Sequence, residues 1–144
     1  MIDDKVLTKF SKVLKKENLK LTHQRQAVLK DVMENRDHRE CDEIFDHLKR
    51  DGMNVSRATV YRTIAILEKY GFVRKLELGD GRARYEYKLG MGHHDHMICV
   101  DCGKIIEFFN AEIEDMQDKI CEDMNFKLVR HIHQLFGLCQ TCQE

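Results

Sequence analysis

Four cysteines constrain this chain more than any other feature. They stand as two pairs, Cys99-x-x-Cys102 and Cys139-x-x-Cys142, near the end of a 144-residue sequence. Each pair puts two thiolates on one tight turn, and two such turns make a closed four-sulfur site, the usual setting of structural zinc. A strand, a helix and a strand would fill the long gap between the pairs, so the ion would tie the C-terminal tail to a hairpin. The N-terminal MIDDKVLTKF has no apolar core of a signal peptide. The expectation is therefore a soluble, cytoplasmic protein, in which clustered thiols ligate metal rather than form disulfides. Cys41 and Cys121 have no partner at such spacing and are read as free thiols.

Charge divides the chain in two. Residues 1–88 hold 20 Lys+Arg and 15 Asp+Glu, a net of +5, whereas residues 89–144 hold 4 and 10, a net of −6. The basic part invites nucleic acid. The acidic part, with five of the eight His and five of the six Cys, invites cations. At 42% hydrophobic residues, with no Pro and 8 Gly, the chain is too apolar for disorder. It has no apolar run long enough for a transmembrane helix.

Periodicity fills in the first part. Val6, Leu7, Phe10, Val13 and Leu14 recur at helical spacing over 5–16. Thr22 caps a second helix that buries Ala27, Val28, Val32 and Met33. A third helix runs from Glu40 to Arg50 with Ile44, Phe45 and Leu48 inward, and Asp51-Gly52 ends it. Ser56 caps a fourth, with Val60, Ile64 and Leu67 as its core stripe and Gly71 at its stop. Strand-like runs at 72–78 and 82–88 flank Gly79-Asp80-Gly81, a hairpin signal. Helices followed by a hairpin, the last helix polar-capped, describe a winged helix-turn-helix over residues 1–88. Residues 89–92, Leu-Gly-Met-Gly, read as a hinge. The rest, 93–144, reads as strand (96–100), Cys turn, strand (104–109), helix (110–123) and strand (126–137). It is too small to be stable on apolar burial alone and needs a metal or a partner.

The run His93-His94-Asp95-His96 carries the second metal signal. In an extended strand His94 and His96 share one face, while His93 and Asp95 share the other. One strand could thus serve two ion sites, with Glu86 upstream and Glu107 on the next strand as further oxygen donors. Imidazole and carboxylate together suit Fe²⁺, Mn²⁺, Zn²⁺, Co²⁺ or Ni²⁺, and ligand type alone does not choose among them.

The segment HHDHMICVDCGKIIEF (93–108), with ATVYRT (58–63) and THQR (22–25), resembles the ferric uptake regulator (Fur) family over essentially the whole chain. The resemblance implies an α+β protein, a winged helix followed by a small α/β dimerisation domain, acting as a metal-responsive repressor of metal-uptake genes. Cys99, Cys102, Cys139 and Cys142 match the structural zinc ligands. His38, Glu86, His94, His96 and Glu107 match a regulatory site that Fe²⁺ would fill, with Mn²⁺, Co²⁺ or Zn²⁺ able to substitute. His93, Asp95, Glu114 and His131 match a third site. Helix four would enter the major groove through Ser56, Arg57, Thr59, Tyr61 and Arg62, Lys20 would reach a minor groove, and Lys15 and Arg25 would meet phosphates. The implied partners are an A/T-rich inverted-repeat duplex and a second copy of the chain, as dimer or tetramer. His23, His47 and His133 match no motif position and are read as solvated. The segment between Glu86 and His93 is one residue longer than in the commonest members, so Glu86 rather than Tyr87 is chosen by its chemistry. Glu40, where many relatives carry Ser or Thr, is a weaker cap. Zinc, manganese and peroxide sensors share the framework. Glu107 favours metal sensing, since peroxide sensors of the family place Asp there. A metal-trafficking protein would leave the basic part idle, and a zinc hydrolase would need an open site and a base that the motifs lack. The chain is expected not to be an enzyme.

Overall fold

A computed structural model describes residues 3–89 and 93–143. The chain divides into two compact units, Met1–Met91 and Gly92–Glu144. The expected hinge, apart from Leu89, lies outside the described residues. No helix among the described residues is long and apolar enough to cross a membrane.

The first unit is four helices and a hairpin: α1 (Asp4–Lys16), α2 (His23–Glu34), α3 (Cys41–Arg50), α4 (Arg57–Lys69), β1 (Val73–Glu77) and β2 (Ala83–Tyr87). Its helix starts follow the expected capping chemistry. Thr22 Oγ1 accepts from the Arg25 amide at 3.2 Å, and Ser56 Oγ accepts from the Thr59 amide at 3.1 Å. The Glu40 start is supported from within α3, because Glu43 Oε1 accepts from the Glu40 amide at 3.1 Å. Past α4 the chain reverses at Gly71, whose φ of +81° a side chain would strain. β1 and β2 then pair antiparallel, Arg74 opposite Glu86. Phe10, Leu14, Val28, Leu29, Ile44, Val60, Ile64, Leu67 and Phe72 are all buried in one cluster. Phe10 and Phe72 meet edge to face at 5.9 Å. Ala27, Met33 and Phe45, expected inside, are partly buried and pack against this cluster, while Leu29 is fully buried on α2.

The second unit is β3 (Asp95–Cys99), β4 (Ile105–Phe108), α5 (Ala111–Asp123), β5 (Gln134–Gly137) and a short 3₁₀ turn, Thr141–Gln143. The strand order is β4-β3-β5, with β3 antiparallel to β4 and parallel to β5. The expected strand over 126–137 exists only as Gln134–Gly137. Upstream of it no neighbouring strand among the described residues offers a ladder. Phe126, Val129 and Ile132 are accordingly 66%, 88% and 73% exposed. α5 buries none of its residues. Ile113, Met116 and Ile120 share one exposed helical stripe that ends in Met124 just past α5. Among the described residues of this unit, Ile98 and Cys99 are the buried apolar ones, alongside buried Asp95 and His96.

Candidate metal centres and nucleic-acid interface

The sulfur site is built by two turns of the second unit. After β3 the chain reverses through Cys99–Gly103, with the Gly103 amide donating to the Cys99 carbonyl at 2.9 Å and Gly103 at φ +79°. Cys139 follows β5, and the 3₁₀ turn brings Cys142 back, its amide donating to the Cys139 carbonyl at 3.0 Å. All four Sγ atoms lie within 4.8 Å of one another. Cys102 and Cys139 sulfurs are 3.7 Å apart. The Cys99 sulfur accepts from the amides of Cys102 and Cys139 at 3.5 and 3.4 Å. These amides pull its thiol down to about 6, and the Cys142 amide and thiol lower Cys139. The thiols of Cys102 and Cys142 are pushed up chiefly by hydrogen bonds with neighbouring cysteine sulfurs and less by desolvation. A compact set of four sulfurs, two of them held toward the thiolate, fits zinc in its closed, structural form.

A second cluster also lies wholly in this unit. His93 Nε2 is 3.1 Å from Asp95 Oδ1 and 3.3 Å from Glu114 Oε1. His131 Nε2 is 3.4 Å from each of the same two oxygens. The two imidazoles stand edge to face at 4.5 Å. Two nitrogens and two carboxylates aimed at one point suit a first-row divalent cation. Gln117 holds His131 from behind, its amide 3.1 Å from Nδ1. Sequence reasoning from the strand alternation reached His93 and Asp95, and resemblance supplied Glu114 and His131. His133, read as solvated, has its ring 5.6 Å from Phe108 and Nδ1 3.9 Å from Asp95 Oδ2.

The remaining expected ligands divide between the units. In the first, His38 Nε2 lies 2.9 Å from Glu86 Oε2, and Arg74 Nη1 is 3.7 Å from the other Glu86 oxygen. Glu86 is buried; Tyr87 instead places its ring 5.3 Å under the Arg36 guanidinium. In the second, β3 sets His96 opposite Glu107 on β4, and His94 Nε2 is 3.5 Å from Glu107 Oε1. The His94 and His96 rings are 5.0 Å apart, on the shared face that alternation predicts.

On the first unit, Arg57, Tyr61 and Arg62 project from α4 into solvent, and Thr59 is half-buried. Ser56 is occupied as the helix cap and also donates to Thr59 Oγ1 at 2.9 Å. The Tyr61 hydroxyl and Arg57 Nη1 both donate to Asp42 Oδ1 on α3, at 2.8 and 2.5 Å. That hydrogen bond raises the Tyr61 phenol above its ordinary range. Lys15 and Lys20 are exposed. The Arg25 guanidinium turns back to the Lys20 carbonyl at 2.6 Å. The sequence pattern gave no sign of Asp42.

A basic winged helix joined to a small unit that gathers metal ligands defines a metal-binding regulator of the helix-turn-helix class. The pattern of the ferric uptake regulator family matches residues 16–136, and the chain belongs to that family. The ferric uptake regulation protein of Campylobacter upsaliensis is 41% identical over 141 residues, 96% of this chain and 90% of that protein. The Helicobacter pylori ferric uptake regulator Fur, whose structure is described as revealing three functional metal binding sites, matches at TM-score 0.88 and 35% identity. That match covers 98% of this chain and 93% of the other. The peroxide-responsive repressor of Staphylococcus saprophyticus is 31% identical over 131 residues, 91% of this chain and 87% of that protein.

Proposed function

We propose that this chain is a cytoplasmic, metal-dependent transcriptional repressor that works as a homodimer and senses Fe²⁺. The observation that carries the reading is the pairing of half-buried His38 with buried Glu86 at 2.9 Å in the basic, DNA-binding unit. A nitrogen donor beside a carboxylate in that unit is half of a cation site. His94, His96 and Glu107 on one sheet face supply the complementary donors in the other unit. A divalent cation taking ligands from both sets would fix the domain angle. A ligand can shift such an equilibrium only by its differential affinity, and moving it from 1:99 to 99:1 takes about 5.5 kcal/mol. Several metal–ligand bonds formed in one state are of that order.

Mixed nitrogen and oxygen donors accept Fe²⁺, and equally Mn²⁺, Co²⁺ or Zn²⁺ as substitutes. The four sulfurs hold zinc for structure, where it supplies folding energy rather than chemistry. The cluster of His93, Asp95, Glu114 and His131 holds a further ion. Glu107 supports metal sensing over peroxide sensing.

The exposed stripe of α5 and the exposed Phe126, Val129 and Ile132 support a second copy of this chain as the partner. A two-fold dimer presents two α4 helices and so reads an inverted repeat. On each half-site Tyr61 meets thymine methyls and Arg57 and Arg62 meet base edges or phosphates, while Lys15, Lys20 and Arg25 meet the backbone or minor groove.

Fluorescence anisotropy of an A/T-rich inverted-repeat duplex tests this, using zinc-loaded protein with and without Mn²⁺ as an air-stable stand-in for Fe²⁺. Tight, salt-sensitive binding only with Mn²⁺ is expected. Absence of binding in both conditions across a panel of such duplexes would overturn the repressor reading.

A further inference from the structure

Of the acidic side chains buried among the described residues, Glu86 and Asp95 belong to the ligand sets above, and Asp31 does not. Asp31 sits on the inner face of α2. A carboxylate there costs stability unless it is fully paired. Its two oxygens are divided between two partners. Oδ2 accepts from Arg39 Nη2 at 2.7 Å, and Oδ1 meets His47 Nδ1 of α3 at 2.5 Å. The Asn35 side-chain amide adds a donor to Oδ1 at 3.3 Å.

Arg39 is the residue next to His38. Its guanidinium is seated on the C-terminal end of α2, where Nη2 also donates to the carbonyls of Asp31 and Asn35 at 3.4 and 3.5 Å. The negative end of the helix dipole favours a cation in that place. The Arg39 main chain is bonded in both directions to Tyr85 of β2. Its amide donates to the Tyr85 carbonyl at 3.2 Å, and the Tyr85 amide donates to its carbonyl at 2.7 Å. Arg39 is thus fixed at both ends, by its side chain to α2 and by its backbone to the wing. His38 on one strand of this bridge faces Glu86, the residue after Tyr85, on the other.

We propose that Asp31 is a positioning residue for the regulatory cation: through Arg39 it fixes His38 beside Glu86. The proposal rests on the reading of His38 and Glu86 as regulatory ligands. Asp31 touches no ligand itself. It anchors the side chain whose backbone sets the register of the connection between α2 and α3. Freed of that anchor, the connection keeps its two backbone bonds to Tyr85 but loses the side chain that holds them in place, and His38 loses its fixed approach to Glu86.

The test titrates full-length, zinc-loaded protein with Co²⁺ and follows the ligand-field absorption. His38→Ala identifies which binding phase belongs to the regulatory site. Asp31→Asn and Arg39→Ala should weaken that phase about tenfold or more, the scale seen when residues supporting metal ligands are lost. His47→Ala leaves the Asp31–Arg39 pair in place and should leave the phase within about twofold. Arg39→Lys, which keeps a cation for Asp31, should recover part of the loss. Zinc content should stay unchanged throughout. A role confined to packing lowers thermal stability in all these variants and moves no binding phase, so an unaltered phase in Arg39→Ala would overturn the proposal, even if Asp31→Asn fails to fold. So would equal losses in His47→Ala and Arg39→Ala. If His38→Ala removes no phase, the regulatory-site reading itself fails, a result separable from the others.

Discussion

The Tyr61 hydroxyl donates to Asp42 Oδ1 at 2.8 Å, so a carboxylate on α3 holds the aromatic side chain through which α4 is proposed to meet bases. Arg57 shares the same oxygen while its guanidinium lies 5.0 Å over the Phe45 ring. A carboxylate in this position repels phosphate and ties up two donors, which restrains binding that depends on charge alone. Asp42→Asn should therefore tighten binding to random-sequence duplex more than to an inverted-repeat operator. If Arg57 gains a phosphate, the log–log salt slope of the random-duplex affinity should steepen by about 0.9. Anisotropy titrations over a range of salt check both.

Removing one sulfur should undo more than one site. Cys99→Ser or Cys139→Ser takes a ligand from a set in which all Sγ atoms lie within 4.8 Å. The second unit buries little apolar surface to fall back on. Zinc and the dimer should be lost together, as read by metal analysis and sedimentation. A zinc-free, stable dimer would contradict the structural role.

His96 and His93 should separate two functions of one strand. His96 faces Glu107 across the β3–β4 ladder, whereas His93 faces Asp95 and Glu114. His96→Ala is expected to keep zinc and the dimer while losing metal-dependent operator binding. His93→Ala should remove a distinct equivalent of bound Mn²⁺ and retain more of the operator response. Metal stoichiometry and anisotropy on the same preparations decide it.

The winged-helix unit should depend sharply on Phe10. Its ring is fully buried and set edge to face against Phe72 at 5.9 Å. Phe10→Ala should cost about 3–5 kcal/mol, from lost transfer energy and the cavity left behind. Urea unfolding followed by circular dichroism gives the number.

What the sequence made legible was local chemistry. Thr22 and Ser56 are caps because their hydroxyls stand three residues before an amide that needs an acceptor. His93 and Asp95 fall on one side of β3, and His94 and His96 on the other, because side chains on a strand alternate. The four cysteines announce their site by spacing. Long-range pairing left no such trace. Asp31 reads as one more charged residue on a helix until its partners Arg39 and His47 are seen, eight and sixteen residues on. Asp42 meets Tyr61 nineteen residues away, at no recognisable spacing. Residues 126–133 carry strand-forming Phe126, Val129 and Ile132, but composition predicts only the willingness to pair, and a ladder needs a neighbour. Glu114 lies on α5 and His131 in the connection before β5, and both were reached through resemblance alone.

The bare stripe of α5 turns folding into a matter of supply. In the proposed dimer, where a second copy covers Met116, Ile120 and Met124, association would complete the second unit and its stability would follow mass action. Dilution should lower its melting temperature, and newly made chains at low abundance should be the ones most open to proteolysis. The amount of working regulator would then climb faster than the amount of polypeptide, which sets a floor of synthesis below which there is little repressor to answer the metal.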